Sequence, residues 1–208
     1  MIKVVRRSAV LLVALATSAC ALTNTGDPNT AAVVGDRQIA TSAIERNFEA
    51  ISDSDTYRQQ SQQDPNGQLA AQTQSQLVTA LVRSEILDLL AARNDVQVDQ
   101  AQVDAAVEDI VEQVGGEDQF EERLAAQGVP RELFLQQVRD QQVQAALQEQ
   151  AGGQGADFAA YVRDEMSDVP IEVNPRFGVW DATGLEVRPQ DPLAQPGRQA
   201  GAAPTEGP

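Results

Sequence analysis

The chain reads as a mainly α-helical domain closed by a small antiparallel sheet. Three observations predict this class. Apolar residues recur at helical spacing through most of the interval from about residue 42 to residue 166. Strand-like material is confined to the two ends of that interval, at Ala31–Ile39 and Ile171–Val179. Each helical stripe stops at a glycine, a proline or an Asn-Asp pair.

Taken in order, Ala31–Val34, Gly35-Asp36 and Arg37–Ile39 predict a tight hairpin. Thr41 or Ser42 then caps a helix, with Glu45 placed for a capping box with Ser42, and Ile44, Phe48 and Ile51 form its buried stripe. Ser52–Gly67 is polar, closes on Asp64-Pro65-Asn66-Gly67, and reads as a loop or frayed helix end. A long helix follows from about Gln68 to Arg93, its broad apolar face built from Leu77, Leu81, Val82, Ile86, Leu89 and Leu90. Asn94-Asp95 breaks it. Asp99 with Gln102 resembles a helix start, and Val103, Val107, Ile110, Val111 and Val114 repeat until Gly115-Gly116. A short helix carries Phe120 and Leu124 to Gly128, and Pro130 suits the first turn of the next, which presents Leu133, Phe134, Val138 and Leu147. After Ala151–Gly155 a last helix carries Phe158, Tyr161, Val162 and Met166.

Ile171, Val173, Phe177 and Val179 then alternate with polar residues, the period of a half-buried strand, and Pro175 favours a sheet edge. A strand needs a ladder partner, and Val33–Ile39 is the one the sequence offers. The two ends of the domain are therefore expected to pair. Truncation from Ile171 should lower the melting temperature or unfold the domain, and truncation from Arg188 should change little.

Composition excludes several functions. The formal net charge is −16; loss of the first twenty residues removes three cations and no acid, giving −19. Such a surface repels phosphate backbones and anionic headgroups, so no nucleic-acid partner is expected and charge does not hold the chain to a membrane. There is no histidine, so no imidazole base or His metal site, and the one lysine, Lys3, lies in the first twenty residues. No catalytic residue, cofactor or metal is expected. Carboxylate pairs lie at solvent-face spacing on the helices.

The first twenty residues carry a targeting pattern. Lys3, Arg6 and Arg7 precede the apolar run Ala9–Ala16, which is too short to span a bilayer. Thr17-Ser18-Ala19 leads to Cys20, the single cysteine. Small residues before a lone cysteine resemble a bacterial lipobox, although the common leucine three places earlier is Thr17 here. Residues 1–20 therefore read as a lipoprotein signal peptide with lipidation at Cys20, placing the chain outside the cytoplasm on the outer face of the cell membrane. Residues 21–30 read as a flexible tether, 31–181 as the domain, and 182–208 as a disordered tail.

The order of parts resembles the chaperone domain of SurA/PrsA-type exported foldases. The resemblance rests on AAVVGDRQIATSAIERNF at the start, on the middle stretch from Val98 to Leu147, and on IEVNPRFGVWD at the end. It implies a holdase for unfolded exported proteins, with Phe120, Leu124, Leu133, Phe134 and Val138 as candidate client-binding residues; plain core packing is their competing role. An adaptor lipoprotein with one fixed partner is the alternative function. In such foldases a parvulin isomerase domain usually precedes the closing helix. Here that place holds only Gln150–Gly155, so isomerase activity is not expected to carry over.

Overall fold

The computed structural model describes residues 26–153 and 157–189. Among them run β1 (Thr30–Val34), β2 (Arg37–Ala40), α1 (Thr41–Ser52), α2 (Asp55–Ser61), α3 (Gln68–Arg93), α4 (Gln100–Val114), α5 (Glu117–Gln127), α6 (Arg131–Gln150), α7 (Phe158–Glu165), β3 (Ile171–Val173), β4 (Val179–Asp181) and β5 (Glu186–Arg188). The fold is mainly helical and closed by a small antiparallel sheet, as the sequence predicts, and it carries a second two-stranded sheet that the sequence reading does not include.

α3 is the spine. It buries Leu77, Val78, Val82, Ile86, Leu87, Leu90 and Ala91, which at about 100° per residue spread over more than half of its circumference. α1, β1, α6 and β5 cover it from different sides. Each large side chain so buried contributes about 1.5–3 kcal/mol. α3 also fixes its neighbours through hydroxyls. Ser75 Oγ donates to Phe177 O at 2.5 Å, Thr79 Oγ1 accepts from the Val187 amide at 2.8 Å, and Ser84 Oγ donates to Asp140 Oδ1 at 2.9 Å.

The first sheet has the order β2-β1-β3. β1 meets β3 with Val34 opposite Ile171, Val33 opposite Glu172 and Ala32 opposite Val173. Asn174, 9% exposed, locks this closure. Its amide donates to Ala31 O at 2.8 Å, and its Nδ2 donates to Thr30 O at 3.0 Å and Asp27 O at 3.4 Å.

The ends of the domain pair as expected, with one correction. Within the starting hairpin the strand that meets β3 is β1, and β2 lies on the far side of β1. The strand expected over Ile171–Val179 stops at Val173. Asn174 Oδ1 accepts from the Arg176 amide at 3.1 Å, closing a turn at Pro175, which has no amide to continue the ladder. Beyond it Phe177 is buried, but Val179 is 55% exposed and belongs to the second sheet, β4-β5.

The expected disordered tail from residue 182 is also corrected. β5 extends the domain to Arg188, buries Val187 and pairs Arg188 with Asp181 at 2.5 Å. Gly178, with φ +137°, opens this hairpin, and a Cβ there would lie 2.3 Å from Arg188 O. Within the expected 21–30 tether, residues 21–25 lie outside the described residues. Asp27 and Thr30 are held by Asn174, and Thr41 Oγ1 donates to Pro28 O at 2.9 Å.

The α1 capping box does not form. Ala40 occupies the N-cap, Thr41 turns toward Pro28, and Glu45 meets Arg176 at 3.4 Å. The box at Asp99 and Gln102 does form. The polar 52–67 stretch contains α2, capped by Ser54, whose Oγ accepts from the Tyr57 amide at 3.1 Å.

Ending the chain after Pro189 should leave the thermal midpoint unchanged, and ending it after Asp181 should lower the midpoint by removing β5. Ending it after Pro170 should abolish cooperative unfolding. Asn174→Ala should destabilise by about 1–3 kcal/mol, since it leaves buried carbonyls short of donors. Thermal melts by circular dichroism check the series; an unaltered midpoint after loss of β5 would contradict the structure.

Candidate functional site

α3 and α6 do not close fully along their length. An open cleft of about 450 Å³ lies between them, with Leu81 and Leu87 from α3 and Leu133 from α6 as apolar lining. Gln136, Gln137, Gln141 and Gln144 of α6 line its polar side. Arg83, Leu87 and Gln144 also line a second hollow of about 230 Å³, whose further walls are Ile86, Phe158, Val162 and Leu185. The two form one groove running along α3 from α6 to α7 and the β4–β5 turn. Its lining combines apolar side chains with glutamine amides and the charged Arg83 and Asp140, the composition of a surface that takes an apolar segment and still hydrogen-bonds it.

A charged seam borders the groove. Arg37 of β2 lies 3.1 Å from Glu85 and 4.0 Å from Asp88 of α3. Arg139 of α6 lies 2.6 Å from Asp88 Oδ1 and 3.8 Å from Asp140. Asp88 Oδ1 is buried and has no well-aligned donor, so that contact is one of charge. Ser84 Oγ donates to Asp140 and accepts from Gln136 Nε2 at 2.8 Å. Burial pushes the Asp140 carboxyl up to about 6, with Asp88 and Glu85 adding like charge; the Ser84 hydrogen bond and Arg139 oppose the shift.

The residues expected to bind clients divide. Leu133 lines the groove. Val138 is buried with Val103 and Val107 between α4 and α6, with Phe134 packed against them. Phe120 and Leu124 are buried on α5, and Phe120 meets Phe134 edge-on with ring centroids 5.0 Å apart. Arg131 sits 5.3 Å over the Phe120 ring and pairs with Glu117 and Glu121. These four residues therefore serve helix packing in this structure. Leu87, Arg83, the α6 glutamines and Leu185 also line the groove and are not among the candidates the sequence singles out. Glutamines at 136, 137, 141 and 144 share a helical side, a readable signal; Leu185 falls in sequence that reads as disordered tail. Cys20 lies outside the described residues. No described helix is long and apolar enough to cross a membrane.

A family model described as the SurA-like N-terminal domain matches residues 1–148. The match covers most of the chain, which belongs to the SurA-like N-terminal domain family. No parvulin-domain match accompanies it. A search of curated proteins finds no match. The matched span ends within α6, so α7, β3, β4 and β5 lie beyond it.

The Asp140 shift has a definite sign. Between the ordinary carboxylate range near 3.8 and about 6, the folded chain binds a proton that the unfolded chain lacks. This contribution is complete below the unfolded value and is lost as pH rises through about 6. Asp140→Asn should therefore raise the melting midpoint at pH 7.5, and its advantage over wild type should shrink by pH 5. A difference independent of pH would contradict the assignment.

Proposed function

We propose that this protein is an extracytoplasmic holdase, anchored to the cell membrane by lipid at Cys20, that binds unfolded exported chains without isomerising prolines. Family membership supports a chaperone-type role. The observation that carries the rest of the reading is the open groove along α3, apolar on its floor and lined by glutamine amides. Its acidic surface, −16 overall, keeps a tethered chaperone soluble and favours basic client segments. Seven residues, Ala151–Asp157, connect α6 to α7 where the related foldases carry a catalytic domain of roughly 90 residues. A parvulin fold does not fit in that length.

The reading is checked by light scattering. The chain without its first twenty residues should delay aggregation of several unrelated denatured proteins. Leu81→Glu with Leu133→Glu, both at half-buried lining positions, should abolish the delay while a thermal melt stays cooperative. Protection confined to one protein would support a dedicated adaptor instead. Intact-mass analysis of protein taken from its native cell should find a lipid-modified chain beginning at Cys20, and a mature chain beginning elsewhere would defeat the anchor.

A further inference from the structure

We infer that the α7 end of the groove binds the C-terminal residue of a polypeptide: an apolar side chain enters the hollow between Phe158, Val162 and Leu185, and the terminal carboxylate meets Arg83. The inference rests on the groove serving polypeptides, as proposed above, and names the chain feature recognised at one end of it.

Three independent observations converge there. The hollow, about 230 Å³, suits one large apolar side chain and is too small for a folded surface. The second observation is charge. Arg83 Nε donates to Leu185 O at 2.7 Å and Nη2 to Gly184 O at 3.3 Å. Arg163 of α7 donates to Thr183 O at 3.4 Å. Two guanidinium groups thus hold one turn by its carbonyls, and neither makes an ion pair among the described residues. Carbonyl partners orient a guanidinium without neutralising it. In a chain with 31 acidic and 15 basic residues, this is a local cationic spot beside an apolar hollow. A planar guanidinium held in place is well suited to a carboxylate. The long-range field of the protein opposes an anion, so binding there must come from the local pair, inside a screening length of about 8 Å at physiological salt.

The third observation is strain. Leu185 has φ +53°, a left-handed conformation that L side chains with a Cβ disfavour. Glycine closes such a turn without strain. The leucine instead places a side chain that walls the Arg83 hollow and also lines a neighbouring hollow of about 380 Å³ with Trp180 and Met166. Strain held by two arginines at the mouth of a cavity fits a binding wall better than a connection between two short strands.

The test uses the full chain and three fluorescein-labelled glycine-serine octapeptides: one ending in a free-acid leucine, the same peptide amidated, and one ending in a free-acid glycine. Polarisation titrations should show the free-acid leucine peptide binding at least tenfold tighter than the other two, about 1.4 kcal/mol. Arg83→Gln should erase the difference between acid and amide. Leu185→Gly, which relieves the backbone strain and keeps the turn, should weaken the leucine peptide about tenfold with the fold retained by circular dichroism. Equal binding of acid and amide, no binding of any probe, or an unaffected Leu185→Gly variant would overturn the inference. Acid selectivity without protection against aggregation would refute the chaperone reading and keep the pocket; protection without acid selectivity would refute the pocket alone.

Discussion

A helix that is apolar around most of its circumference cannot be left on a surface, and α3 is such a helix. Covering it sets the arrangement of nearly everything else. α1 and β1 lie against it, α6 crosses it, and β5 is drawn in from the end of the described chain. The cover is also polar in three places. Ser75, Thr79 and Ser84 each bind an element far away in sequence, so α3 sets the position of its neighbours as well as attracting them. Where the cover is incomplete, between α6 and α7, the same apolar helix becomes the floor of the groove.

α6 joins two packing regions. Toward its start, Phe134 and Val138 pack in a small cluster with α4. Toward its end, Val143 and Leu147 belong to the main core with α3. The α4–α5 arm returns to the body where Thr56 Oγ1 donates to Ala126 O at 2.8 Å and Gly128 packs against Ser54. A Cβ at Gly128 would come within 2.7 Å of Ser54 Cβ, so the contact depends on a residue with no side chain. The aromatic pair Phe120–Phe134, the most conspicuous apolar feature of the middle sequence, is spent on holding this arm together.

Helices long enough to repeat an apolar stripe were legible in the sequence. α3 spans Gln68–Arg93, and α4 starts at the Asp99–Gln102 box, because both signals are local. The meeting of the two chain ends was legible by elimination, since a strand had no other partner. The closing hairpin was not. β5 is three residues with one buried side chain, Val187, inside Gly- and Pro-containing sequence, and its position comes from Thr79, 108 positions earlier in the chain, and from the close approach of Gly178 across the hairpin. The groove was legible only in part because the residues at helical spacing were enough to find faces but not to say which faces meet. Phe120 and Leu133 carry the same sequence signal; Phe134 and Arg131 of α6 cover one, and the α3–α6 gap uncovers the other.

The Asn174 clamp joins residues 144 positions apart, and this bears on how the chain acquires its fold as it is made. β1 emerges near the beginning and β3 near the end, so the first strand has β2 on one side and an open edge on the other until the last quarter arrives. Closing so long a loop is entropically slow, and an uncovered strand edge is a site for mispairing in the meantime. A nascent or threading chain therefore holds its helices before it holds its shape. Commitment to the native topology falls to a few residues around Asn174 that arrive after almost everything they organise.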